Sequence, residues 1–129
     1  MDRVEIIIEK ESYNRVDPSY SILISDDGTV EFIGKTNVKT KGKQILKISQ
    51  DLITELVDKF NMIYFFSLKD KYLSRTNPAS EETKTVMSIR VGDKFKKIEY
   101  SKNGKAPHSL DSLVSQIERI TKTDQFIAV

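Results

Sequence analysis

Apolar and polar residues alternate along the first third of the chain and then give way to two stretches of helical spacing. In Val4-Glu5-Ile6-Ile7-Ile8-Glu9, the residues Val4, Ile6 and Ile8 share one side, which predicts a strand with Ile7 opposite them. Tyr20 to Ser25 and Thr29 to Lys35 flank Asp26-Asp27-Gly28, and the loop length there decides which side chains share a face. A two-residue turn at Asp27-Gly28 sets Leu23 opposite Phe32 and mixes polar with apolar residues on both faces. A three-residue loop with Gly28 left-handed pairs Ile24 with Val30, Ile22 with Phe32 and Tyr20 with Gly34, leaving one face apolar. The bulged register is therefore the expected one. The same rule applied to Thr40-Lys41-Gly42 pairs Val38 with Gln44, Thr36 with Leu46 and Gly34 with Ile48.

Ser49 reads as an N-cap, with Asp51 in the first turn complementing the helix dipole and Leu52, Ile53, Leu56, Val57 and Phe60 at helical spacing. Asn61 tolerates a left-handed C-terminal position and is the expected end. Met62 to Phe66 continues as an apolar plug, so Tyr64, Phe65 and Phe66 are read as core. Residues 67 to 83 hold Asn77-Pro78 and no sustained period, which predicts a connection longer than most in compact domains. Lys84 to Val91 and Lys94 to Tyr100 form a hairpin around Gly92-Asp93, with Met87 opposite Ile98 and Thr85 opposite Tyr100. After the Asn103-Gly104 turn, Pro107 suits a first helical turn, and Leu110, Leu113, Val114, Ile117 and Ile120 line one side of a closing helix. The tail, Phe126-Ile127-Ala128-Val129, is too apolar to lie free in water. The sum is a single α+β domain over residues 1–129: an antiparallel β-sheet built from hairpins, with two α-helices packed on one face.

Composition narrows the chemistry. At 129 residues, 38% hydrophobic and 31% charged, the chain fits one folded domain and neither a disordered tract nor a membrane protein. Its first residues offer only Ile6-Ile7-Ile8 as an apolar run, too short for a signal-peptide core, and the expected address is cytosolic. The absence of cysteine excludes thiolate, disulfide and iron-sulfur chemistry, and a single histidine, His108, excludes a histidine-rich metal cluster. The net charge of +2 conceals a local excess: Lys35, Lys39, Lys41, Lys43 and Lys47 lie between Phe32 and Gln50 with no acidic residue among them.

Four motifs follow one another along the chain: Asp17-Pro18-Ser19-Tyr20, then Asp26-Asp27-Gly28-Thr29-Val30 with Gly34, then Phe65-Phe66-Ser67-Leu68-Lys69-Asp70 with Tyr72, and Ala106-Pro107 with Leu110. In their order and spacing the chain resembles the family of domains of unknown function numbered 6438, and the resemblance covers about residues 4 to 122. Members of that family typically carry a cysteine pair in a pattern like Cys-x-Gly-x-Cys-Pro-x-Tyr, and Tyr13 and Asp17 stand in those places here. Any role of those thiols fails to transfer. The resemblance implies an α+β fold and no assigned activity.

Catalytic signals are sparse. His108 begins a helix beside Ser109 and Asp111, but neighbours at a helix start seldom aim at one another, so an exposed or capping role is expected. Asp26-Asp27 has turn chemistry, and neither it nor Glu81-Glu82 has the ligand series of an EF-hand loop. The five glycines are dispersed at turns and strand ends, so no phosphate-cradling loop exists, and no cofactor or metal is expected. The five lysines are the strongest functional feature, a polyanion-binding candidate reinforced by five more between Lys94 and Lys105. Against it, lysines also protect sheet edges, and neither stretch holds an arginine for bidentate phosphate contacts. The expected function is a non-enzymatic binding or protein-interaction domain, with a protein partner or a second copy meeting the C-terminal tail. The alternatives are a nucleic-acid-associated protein using the lysines, and an enzyme with carboxylate or hydroxyl chemistry.

Overall fold

The structure, a computed structural model, describes residues 3–12, 14–73, 83–102 and 104–128. Its elements run β1 (Val4–Glu11), β2 (Ser19–Ser25), β3 (Thr29–Thr36), β4 (Gly42–Lys47), α1 (Gln50–Met62), β5 (Lys71–Tyr72), β6 (Lys84–Val91), β7 (Lys94–Ser101) and α2 (His108–Thr121). Short 3-10 turns occupy Phe65–Ser67 and Thr123–Phe126. Among the described residues the strands form one sheet in the order β4-β3-β2-β1-β6-β7-β5, antiparallel except where β5 joins β7. The fold is α+β.

The first hairpin takes the three-residue loop. Ile22 faces Phe32, Ile24 faces Val30, and Gly28 sits at φ +90 with its amide on Ser25 O at 3.0 Å. One side of the sheet is consequently apolar: Val4, Ile6, Ile8, Tyr20, Ile22, Ile24, Val30, Phe32, Met87, Ile89, Ile98 and Tyr100 are buried in one cluster. Ile53, Leu56 and Phe60 of α1 and Leu110, Leu113, Val114 and Ile117 of α2 complete it. Burying each such aliphatic or aromatic side chain contributes about 1.5 to 3 kcal/mol. Tyr20 stacks on Phe32 at 5.6 Å, and Phe60 meets Phe65 edge-on at 4.9 Å.

The second hairpin departs from the expected register. Phe32, not Val38, pairs with Gln44, while Val30 pairs with Leu46 and Gly34 with Gly42. Val38 leaves the ladder and is buried in the core, and Asn37 before it adopts a left-handed φ of 55. The tail supplies the reason. Lys39 N donates to Ile127 O at 3.3 Å and Thr40 N to Phe126 O at 3.0 Å, while the Phe126 ring lies 5.3 Å from that of Phe32. The apolar tail thus docks on its own domain and draws the 37–41 loop out of the ladder.

Helix α1 begins as expected, with Ser49 Oγ accepting from Leu52 N, but runs past Asn61 to Met62. Tyr64 takes the left-handed conformation instead, at φ 56. This splits the expected plug: Phe65 is fully buried, whereas Met62 and Tyr64 are 72% and 76% exposed. The Gly92-Asp93 hairpin pairs Met87 with Ile98 and Thr85 with Tyr100 as its turn demands. In the long connection, Asn77-Pro78 and Glu81-Glu82 lie outside the described residues, as do Tyr13, Asn103 and Val129.

Candidate functional site

Strand register assembles a polar layer at one end of the apolar side. Lys10 of β1 pairs with Tyr20 of β2 and with Thr85 of β6, and Thr85 pairs in turn with Tyr100 of β7. Lys10 has the parity of Ile6 and Ile8, so this row continues the buried side beyond the last isoleucine. Asp111, Ser115 and Glu118 are spaced four and three residues apart on α2 and form one stripe. The two rows are joined by hydroxyl-to-carboxylate bonds: Tyr100 OH donates to Asp111 Oδ1 at 2.8 Å, and Tyr20 OH donates to Glu118 Oε2.

The connection from β1 to β2 closes the layer. Asn14 Oδ1 accepts from the amides of Val16 and Asp17, each at 2.8 Å, a local turn that fixes Asp17. Asp17 Oδ2 then accepts from Thr83 Oγ1 at 2.6 Å and from Asn14 Nδ2 at 3.1 Å. Between these groups lies a cavity of about 240 Å³ lined by Lys10, Asp17, Pro18, Thr83, Thr85, Tyr100, Lys102, Asp111 and Ser115. Asp17, at the place where the family resemblance puts a second cysteine, is part of its wall.

The electrostatics follow from these partners. The Thr83 and Asn14 hydrogen bonds hold the Asp17 carboxyl below its ordinary range, with Lys102 and Lys10 adding to the effect. Burial pushes the Glu118 carboxyl upward, against the Tyr20 hydrogen bond and Lys10, which pull it down. Burial raises Tyr20, with Glu118 reinforcing it, and it raises Tyr100, with Asp111 reinforcing it. Both phenols therefore stay protonated and donate. Lys10 Nζ lies 5.9 Å from the Tyr20 ring centroid, and neither Lys10 nor Lys102 forms an ion pair with a described residue.

The five lysines of the second hairpin lie elsewhere. Lys35 lies near the end of β3, Lys43 and Lys47 are on β4, and Lys39 and Lys41 are in the connection; all five are exposed. Alternation puts Lys43 and Lys47 on the side of β4 opposite Leu46, with Lys43 Nζ 3.3 Å from Glu31 and Lys47 Nζ 3.0 Å from Asp27 O. His108 is exposed at the start of α2, and the nearby Asp111 is engaged by Tyr100. Asp27 serves its turn, accepting from Thr29 N at 2.9 Å, which lowers its carboxyl. Among the described residues no cluster of three potential metal ligands forms, and no helix is long and apolar enough to cross a membrane.

Sequence reasoning missed the cavity because its walls come from five separate segments. The one local signal was the Asp111, Ser115 and Glu118 stripe on the flank of an otherwise amphipathic helix. The family model described as "Domain of unknown function (DUF6438)" matches residues 17–121, from the Asp17 wall of the cavity to the last residue of α2. No curated protein matches the chain.

Proposed function

We propose that this chain, which belongs to the DUF6438 family of domains of unknown function, is a non-enzymatic binding domain that takes a small organic anion in the cavity beside Asp17. The observation that carries this reading is the set of hydrogen-bond donors left over in the cavity. Its carboxylates are engaged by neutral donors, Asp17 by Thr83 and Asn14 and Asp111 by Tyr100, whereas the Lys10 and Lys102 ammonium groups form no close ion pair with a described carboxylate and act on Asp17 only from a distance. A ligand carboxylate or phosphate would accept from these ammonium groups, with the Thr85 and Ser115 hydroxyls as neutral partners. At about 240 Å³ the space falls below the roughly 300 to 1,000 Å³ of drug-sized pockets, which favours a ligand of few heavy atoms.

Binding rather than catalysis is favoured by the state of the tyrosines. Each holds its proton firmly and is tied to a carboxylate, so the pair brace sheet against helix and do not shuttle protons. Calorimetric titration with small carboxylates and phosphomonoesters tests the reading. A saturable heat with one class, weakened roughly tenfold or more by Lys102→Gln through loss of a charge-assisted hydrogen bond, is expected. Absence of saturable heat across both classes at millimolar ligand would count against it.

A further inference from the structure

The geometry points to the β4 edge as a docking site for an extended acidic peptide that pairs with it as an additional strand. Among the described residues β4 is one edge of the sheet, and the other edge is β5, a strand of two residues. The Ile48 amide donates inward to Gly28 O at 2.8 Å, so by strand alternation Leu46 and Gln44 also turn their main chain toward β3. The N–H and C=O groups of Lys43, Ile45 and Lys47 therefore point out of the sheet. Their side chains share the side opposite Leu46, presenting lysine, isoleucine and lysine at every second position.

Charge and apolar exposure together select the occupant. Ile45 is 60% exposed and its neighbour Ile33 is 36% exposed, which places greasy surface between the lysines. Lys35, Lys39 and Lys41 extend the positive field toward the 37–41 loop. Glu31 is the one carboxylate paired with these five lysines among the described residues, and in that contact the Lys43 side chain is exposed and the Glu31 side chain partly so, which keeps the pair weak. An acidic strand with acidic, apolar and acidic side chains at alternate positions complements this row across the new ladder. A second copy of the edge would set lysine against lysine, so the charges that admit an acidic partner also resist self-pairing. Nucleic acid fits less well, since residues 33 to 49 contain neither arginine nor an aromatic ring for stacking.

The test uses a fluorescent peptide carrying glutamate, valine and glutamate at alternate positions, a scrambled peptide of the same composition, and single-stranded and duplex DNA, each titrated into the intact protein. The alternating peptide is expected to bind more tightly than the scrambled one and than either nucleic acid. It should slow amide exchange at Lys43, Ile45 and Lys47 while leaving Gln44 and Leu46 unchanged. Lys43→Glu combined with Lys47→Glu should weaken it by ~tenfold or more, since two attractions become two repulsions, and a peptide with lysine in place of glutamate should restore binding to that variant. Equal binding of the scrambled peptide, binding without protection of the three amides, or tighter lysine-dependent binding of DNA would overturn the proposal, as would failure of the alternating peptide to bind at low salt.

Discussion

Replacing Tyr20 with phenylalanine removes one oxygen from the polar layer and leaves the ring stacked on Phe32. What is lost is the hydroxyl that donates to Glu118, a half-buried carboxylate that burial already pushes above its ordinary value of 4.5. Because the folded form binds this proton more tightly than the unfolded chain, the contribution of Glu118 to stability is fully present below about pH 4.5 and declines as pH rises through the folded value. The Tyr20 hydrogen bond opposes that rise, so its removal moves the carboxyl further up and deepens the decline. Above the folded value of Glu118, where the carboxyl is ionised, the variant loses a hydrogen bond to a charged group, about 1.5 to 3 kcal/mol; below it, with Glu118 protonated, it loses a neutral one, about 0.5 to 1.5 kcal/mol. Urea unfolding of both proteins in neutral and in acidic buffer measures the difference, and all other titrating groups cancel between the two chains. A melting shift of roughly 3 to 5 °C per kcal/mol should accompany it. An equal loss in both buffers would show that Glu118 does not depend on Tyr20 and that the two do not form a coupled polar layer.

Three further outcomes follow from the packing. Leu56→Ala or Ile22→Ala, both at fully buried positions, should cost about 2 to 5 kcal/mol in denaturant unfolding. Phe126→Ala should cost about 2 kcal/mol, below the ~3 to 5 kcal/mol of a fully buried phenylalanine, and should speed amide exchange at Lys39 and Thr40, whose partners are Ile127 O and Phe126 O. Gly28→Ala should destabilise more than an ordinary loop change, because the residue sits at φ +90 and a Cβ there would meet Ile48 O at 2.3 Å; a variant with an unchanged melting temperature would refute the reading of this turn.

The parts of the fold legible in the sequence were those fixed by neighbours. Gly28 and the alternation around it fixed the β2–β3 register, Ser49 began α1, and Gly92-Asp93 closed the β6–β7 hairpin. The β3–β4 register was not legible, because it depends on Val38 entering the core and on the last residues of the chain pairing with Lys39 and Thr40. Spacing along the sequence carries no record of such a distant partner. The end of α1 was missed for a smaller reason: the left-handed residue is Tyr64, whose ring can stay exposed, and not the amide at Asn61. The cavity was hidden because β1 pairs with β6 across most of the chain, and only that pairing brings Lys10 between Tyr20 and Thr85. The exposed lysines were legible as charge, yet the edge position of β4 and the outward-turned main chain of Lys43, Ile45 and Lys47 required the sheet order.

Titrating isotope-labelled protein with the small carboxylates and phosphomonoesters, while following every backbone amide by NMR, tests the binding-domain account most directly. One class should shift the amides of Lys10, Asp17, Thr83, Thr85, Lys102 and Ser115 in a saturable way, with β4 unmoved. Shifts confined to exposed lysines such as Lys35, Lys39 and Lys41, or no shifts at all, would contradict it.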